Sequence, residues 1–164
     1  MSDFTTTATI DRTPAEVFAA ILDTRSWWNE AIEGATSHRG DEFGFEVHGL
    51  HRTRIRVTDV IPDERVEWLV LENAFEFIED QTEWLGNRMV FELEPAGDAC
   101  TLSFTQFGLV PDYECYEVCS SAWTFFIRDS LRNLIEKGKG NPESATADKP
   151  DVPRDEFFKA DRLA

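Results

Sequence analysis

Hydrophobic and polar positions alternate along residues 4–10, where Phe4, Ala8 and Ile10 are set among threonines. A period of two predicts a half-buried β-strand. Thr13-Pro14-Ala15-Glu16 follows at once and has the form of a helix-opening capping box with proline at the first helical position. Val17, Phe18, Ile21 and Leu22 then supply an apolar stripe at helical spacing. Thr24 to Asn29 reads as a second short helical turn that carries the Trp27-Trp28 pair.

From Glu42 onward the period of two dominates. Phe43, Phe45 and Val47 alternate with Glu46 and His48, and Gly49-Leu50 turns the chain into a strand with Thr53, Ile55 and Val57 on one face and Arg52, Arg54 and Arg56 on the other. The arginine ladder is the solvent face of an antiparallel sheet. Residues 65–72 are apolar on both faces, with Val66, Trp68 and Val70 against Leu69 and Leu71, which predicts a central strand. Further strands are expected at Ala74 to Ile78, Thr82 to Glu94 and Ala99 to Phe107, the last two joined by a turn over Pro95-Ala96-Gly97-Asp98. Phe91 and Leu93 should pair with Leu102 and Phe104.

The longest periodic stretch is the last. Tyr116, Cys119, Trp123, Phe126, Ile127, Ser130, Leu131 and Leu134 recur at steps of three and four, so they share one face of a helix predicted from Asp112 to Lys137. Pro111 and Asp112 open it, Glu114 sits in its first turn, and Lys137, Gly138 and Pro142 close it. Val118, Ala122 and Phe125 fall on its opposite side as a small apolar patch, which either Phe157 and Phe158 of the tail or a second copy in a homodimer would cover. The pattern describes one domain over residues 1–142 and a C-terminal tail, residues 143–164, of weak periodicity, partly ordered or disordered.

Composition narrows the partners. The chain has 164 residues, and 32 acidic against 16 basic side chains give a formal net charge of -16. Such a surface repels phosphate backbones and anionic lipid, so nucleic acid and membrane insertion are not expected. No signal peptide or apolar run of spanning length is seen, and three cysteines fit a reducing, cytoplasmic setting. Cys115 and Cys119 stand one helical turn apart without a second ligand pair, so no metal is expected. The cluster Glu72, Glu76, Glu79, Asp80 and Glu83 reads as a solvated loop.

Specific segments carry a resemblance. Thr82-Glu83-Trp84-Leu85-Gly86, Phe91-Glu92-Leu93, the run from Leu102 to Leu109, and Glu114-Cys115-Tyr116 with Cys119, Trp123, Ser130-Leu131, Leu134 and Gly138-Lys139-Gly140 resemble the activator of Hsp-90 ATPase homologue-like branch of the START or SRPBCC superfamily. It covers about Thr5 to Pro142. The resemblance implies an α+β helix-grip (START/Bet v 1-like) fold, in which a curved antiparallel sheet, two short helices and one long C-terminal helix enclose a cavity. Relatives use that cavity for hydrophobic small molecules. The sequence departs from the family at Gln106, where relatives often carry His, and at Ala122, where they often carry Gly; Gln106 keeps hydrogen bonding but loses proton transfer.

Candidate ligand-binding residues are therefore Trp28 at the mouth, Phe43, Phe45, Trp68, Phe91, Phe104, Gln106, Tyr116, Cys119, Trp123 and Phe126. The same aromatic set reads equally as packed core. Among the histidines, His38 falls in a loop, His48 on an outward phase and His51 after a turn, so all three read as surface groups. Phosphate loops, zinc signatures and nucleophile elbows are absent, and no catalytic residue or cofactor is expected. Three functional classes follow, in order: a binding protein for a lipid or aromatic small molecule, a chaperone-associated interaction module, and a cyclase- or hydrolase-like enzyme. The full co-chaperone of the family's name carries an additional N-terminal domain, whereas this sequence begins at the first strand, which sets the second class below the first.

Overall fold

The structure is a computed structural model that describes residues 2–144. Strand β1 (Phe4–Ile10) is followed by helices α1 (Pro14–Leu22) and α2 (Thr24–Trp27). Then come β2 (Glu33–Gly34), β3 (Glu42–Val47), β4 (His51–Ile61), β5 (Arg65–Phe75), β6 (Arg88–Ala96) and β7 (Ala99–Phe107). The final helix comprises α3 (Tyr116–Phe125), a π-helical stretch (Phe126–Leu131) and α4 (Arg132–Lys137). The strands form one antiparallel sheet ordered β1-β7-β6-β5-β4-β3-β2. The molecule thus has the α+β helix-grip architecture, with a long C-terminal helix on a curved sheet.

Local chemistry explains the elements that the pattern located. At α1 the Thr13 hydroxyl accepts the Glu16 N–H at 3.3 Å, and the Glu16 carboxylate accepts the Thr13 N–H at 3.4 Å, so two orphan amides are satisfied reciprocally. Strand β5 is central, and Phe91 pairs with Phe104 and Leu93 with Leu102. Register shifts in β4, between Arg54 and Ile55 and between Val57 and Asp59, bend the sheet. On its outer face, Glu42 receives both Arg54 and Arg56, and the two guanidiniums hold its carboxyl below the ordinary range.

Four expectations are corrected. Ala74 to Ile78 is not a separate strand, because β5 runs on to Phe75 before the chain turns. Residues 82–86 are turn rather than strand, and Trp84 lies at a positive φ of 76°. The β6–β7 turn lies one residue later than expected: Pro95 still pairs with Cys100 and Ala96 with Ala99, and Gly97, at a φ of 64°, and Asp98 form a two-residue loop. The final helix begins at Tyr116, with residues 111–115 in turns. Nothing local caps it. Instead the buried carboxylate of Glu83 accepts the Glu114 N–H at 2.6 Å and the Cys115 N–H at 3.1 Å. The Glu114 carboxylate in turn accepts the amides of Glu79 and Asp80.

The far end of the helix is tied to α2. The buried Ser130 hydroxyl donates to the Trp27 carbonyl at 2.7 Å and accepts the Asn141 N–H at 2.6 Å. Gly140 approaches so closely that a Cβ there would lie 2.3 Å from the Ser26 carbonyl oxygen. Beyond it, the Glu143 N–H donates to the Trp28 carbonyl and the Glu143 carbonyl accepts the Glu30 N–H, both at 2.9 Å. The start of the predicted tail therefore packs on the domain, whereas Phe157 and Phe158 lie outside the described residues.

Candidate functional site

Between the helix and the β3–β4 end of the sheet lies a cleft. Its sheet side consists of Phe45 and Val47 from β3, Leu50, His51 and Phe75; its helix side is Cys119, Ala122, Trp123 and Phe126. Trp28, Trp84 and Glu143 complete the rim. About 440 Å³ of space lies between these atoms, mouth included, but only about 40 Å³ accepts the centre of a water molecule. That is room for a few waters, against the several hundred Å³ of a typical drug-sized pocket.

The reason is aromatic packing. Trp28 stacks on Trp68 at 5.6 Å and 9°, meets Phe45 edge-on at 5.2 Å, and tilts against Trp123 at 4.9 Å. Trp68 in turn holds Phe43 at 5.1 Å and Phe91 at 4.8 Å, both edge-on, while Phe104 lies 4.5 Å from Trp123. Centroid separations of 4.5–7 Å in such orientations are favourable contacts. Of the candidate residues, Trp28, Phe45, Cys119, Trp123 and Phe126 meet at the cleft. Phe43, Trp68, Phe91 and Phe104 lie behind it as solid core. Tyr116 faces a separate surface groove with Phe4 and Phe125. Since Ala122 turns toward the cleft and Phe125 toward that groove, the expected Val118–Ala122–Phe125 patch is divided.

Gln106 is wholly buried and serves the cleft from behind. Its Oε1 accepts the Trp123 indole N–H at 2.8 Å and its Nε2 donates to Asn87 Oδ1 at 2.9 Å. Asn87 Nδ2 continues the chain to the Tyr113 hydroxyl at 3.2 Å.

His51 is the main correction at the site. It is half-buried and faces inward, 4.2 Å from the Phe75 ring and edge-on to Phe45 and Trp84. Burial pushes its pKa down to about 4, against the opposing effect of its bond to Asn73. That bond also fixes the tautomer. Asn73 Nδ2 donates to the Glu83 carbonyl at 3.2 Å, so Asn73 Oδ1 must accept from His51 Nε2, 2.8 Å away, and Nδ1 is left as the acceptor. The signal was present: His51 lies two residues before Thr53 and so shares the inward phase of Thr53, Ile55 and Val57. Trp84, Phe75 and Glu143 were also missed; Trp84 and Glu143 reach the cleft from a turn and from beyond the helix, where no periodicity points.

The cysteines offer little chemistry. All three are free and buried. The Cys115 thiol is pushed up by its hydrogen bond with Cys119, then by burial and by the Glu83 carboxylate, and so stays protonated. Among the described residues no group of three His, Cys, Asp or Glu side chains could hold a metal, and no helix is long and apolar enough to cross a membrane.

The family profile described as activator of Hsp90 ATPase homolog 1-like protein matches residues 11–136. The chain belongs to this family. Three solved structures show how widely the fold is shared. An Aha1 dimer from Colwellia psychrerythraea is 23% identical, with a TM-score of 0.69 over 85% of this chain and 100% of that one. A protein from Mesorhizobium loti is 18% identical, with a TM-score of 0.64 over 82% and 98%. A putative protein of the dynemicin biosynthetic locus is 17% identical, with a TM-score of 0.62 over 85% of this chain and 49% of that one. No curated protein matches. For this activator-homologue chain the likeness to solved structures establishes the fold alone.

Proposed function

We propose that this protein binds a compact apolar or aromatic small molecule in the cleft beside Trp123, in a reducing, cytoplasmic setting consistent with its three free cysteines. The observation that supports this most is an open-mouthed cleft walled by aromatic rings, with one neutral imidazole to orient a guest. Its small free volume favours a flat or short ligand over a long acyl chain. Titration with short alkyl and aromatic compounds, fatty acids, flavonoids and aromatic dyes tests the reading. Binding should change the emission of Trp28, Trp84 and Trp123, and saturation at 100 times Kd should stabilise the fold by about 2.7 kcal/mol. Unchanged emission and melting temperature across the panel would remove its support.

A second reading, a chaperone-associated interaction module, is favoured by the same limited free volume, which would leave the fold to act through its surface. Co-purification with an Hsp90-type chaperone and stimulation of its ATPase are the measurements for it. An enzymatic reading would make His51 the base, and an imidazole with a pKa near 4 is a weak one at neutral pH.

A further inference from the structure

We propose that the cleft selects a neutral, hydroxyl-bearing guest, a small phenol, whose O–H donates to His51 Nδ1 while an oxygen of the guest accepts from Trp28 Nε1. This deepens the small-molecule reading and rests on it. The indole faces are already taken up by one another: Trp28 lies on Trp68 at 5.6 Å and against Trp123 at 4.9 Å, and Trp84 stacks on Trp123 at 6.1 Å. The walls therefore present ring edges, and the ring nitrogens set the polarity of the site. Trp123 Nε1 donates to Gln106, Trp84 Nε1 is closed to solvent, and His51 Nε2 donates to Asn73 Oδ1. Trp28 Nε1 and His51 Nδ1 remain, without a partner among the described residues and not shut away as Trp84 Nε1 is. The first is a donor and the second an acceptor.

The acceptor decides the class of guest. Trp28 Nε1 would serve the oxygen of a carboxylate, an ether or a hydroxyl alike, so it does not discriminate. His51 Nδ1 does. Its lone pair is fixed by the bond of Nε2 to Asn73, and burial keeps the ring neutral at neutral pH. An ether leaves that nitrogen unpaired, a carboxylate sets lone pair against lone pair, and a hydroxyl satisfies it. A phenol carries the hydroxyl on a flat ring, the shape that the narrow free volume favours. With a pKa of about 10, it also enters un-ionised at neutral pH.

Phenol, anisole, toluene and benzoate separate these effects, each titrated into the full chain by calorimetry and tryptophan emission. A pocket that merely excluded water would rank toluene and anisole above phenol, because a hydroxyl is costly to desolvate without a partner. The expected order is the reverse, with phenol about fivefold or more ahead of anisole and toluene, and benzoate weakest. Phenol, and not anisole, should move the nitrogen-15 resonance of His51 Nδ1 in the wild-type protein. His51→Phe should abolish the lead of phenol over anisole; if that variant does not fold, the wild-type order and the Nδ1 resonance decide. Anisole, toluene or benzoate binding as tightly as phenol, an unmoved Nδ1 resonance, or a lead that survives in a folded His51→Phe protein overturns hydroxyl selection and leaves the small-molecule reading standing. Failure of all four to bind also overturns it, and the broader panel then decides separately whether the small-molecule reading falls too.

Discussion

The indole N–H of Trp123 donates to the side-chain oxygen of Gln106 across 2.8 Å, with both residues almost completely removed from water. The helix is thereby pinned to β7 by a polar bond inside an aromatic core. Gln106→Leu should leave a buried donor unpaired and cost about 1 to 3 kcal/mol. Trp123→Ala, which also removes the ring, should cost about 3 to 5 kcal/mol. Denaturant midpoints measure both, and a Trp123→Ala protein with the wild-type midpoint would contradict the burial described.

Gln106→His would place a titratable group in this buried network. A neutral imidazole can accept from Trp123 with one nitrogen and donate to Asn87 with the other, whereas a protonated one meets the indole N–H donor to donor. The variant should melt close to wild type at pH 8 and clearly below it at pH 5. Equal melting temperatures at pH 5 would show that the network rearranges around the substitution.

His51 gives the wild-type protein a pH dependence of its own. Its folded pKa of about 4 lies below the 6.5 of a free imidazole, so between these values the unfolded chain binds the proton and the folded one does not. Its contribution is fully present above about pH 6.5 and is lost as pH falls toward 4, an effect on the order of 2 to 3 kcal/mol at most. His51→Phe should flatten the melting curve against pH over that window. An unchanged slope would assign the dependence to other groups.

The Glu83 carboxylate caps the final helix from 31 residues upstream of Glu114. Glu83→Ala should cost about 2 kcal/mol or more by orphaning two amides, and Glu83→Gln less, since the amide oxygen still accepts. Hydrogen exchange at Glu114 and Cys115 should accelerate in both variants. Protection equal to wild type would mean that another acceptor replaces the carboxylate.

That same cap shows where the sequence was silent. Strands β1 and β7 were legible to the residue because alternation is a local property, and the box at Thr13 because its partners lie three residues apart. The start of the final helix was placed too early because Pro111 and Asp112 have the form of an opening, while the acceptor that serves the helix comes from another loop. At the site, the inward phase of Trp123, Phe45 and Cys119 could be read. The division of the aromatics into cleft wall and solid core could not, since it depends on how Trp28 and Trp68 stack. His51 was legible from its phase with Thr53 and was lost to the neighbouring Gly49 turn.

Gly140 offers a test of the rim. A methyl group there would meet the Ser26 carbonyl oxygen at 2.3 Å, and backbone cannot yield as a side-chain tip would. Gly140→Ala should therefore push residues 140–143 off α2, loosen the bonds of Glu143 to Trp28 and Glu30, and shift tryptophan emission to the red. Emission and stability equal to wild type would mean that the segment is not needed to close the cleft.

The π-helical stretch from Phe126 to Leu131 has a bearing on how this helix tolerates change in length. A wider turn stores the equivalent of one inserted residue, and in an α-helix each residue advances the side chains by about 100°. Removing one residue within it would convert the stretch to ordinary α-helix while keeping α4 in its present orientation. Removing one from α3 or α4 would instead rotate everything beyond it away from the sheet. The helix thus has a slack link at its midpoint, and that link itself carries Phe126 on the cleft and Ser130 fastened to α2.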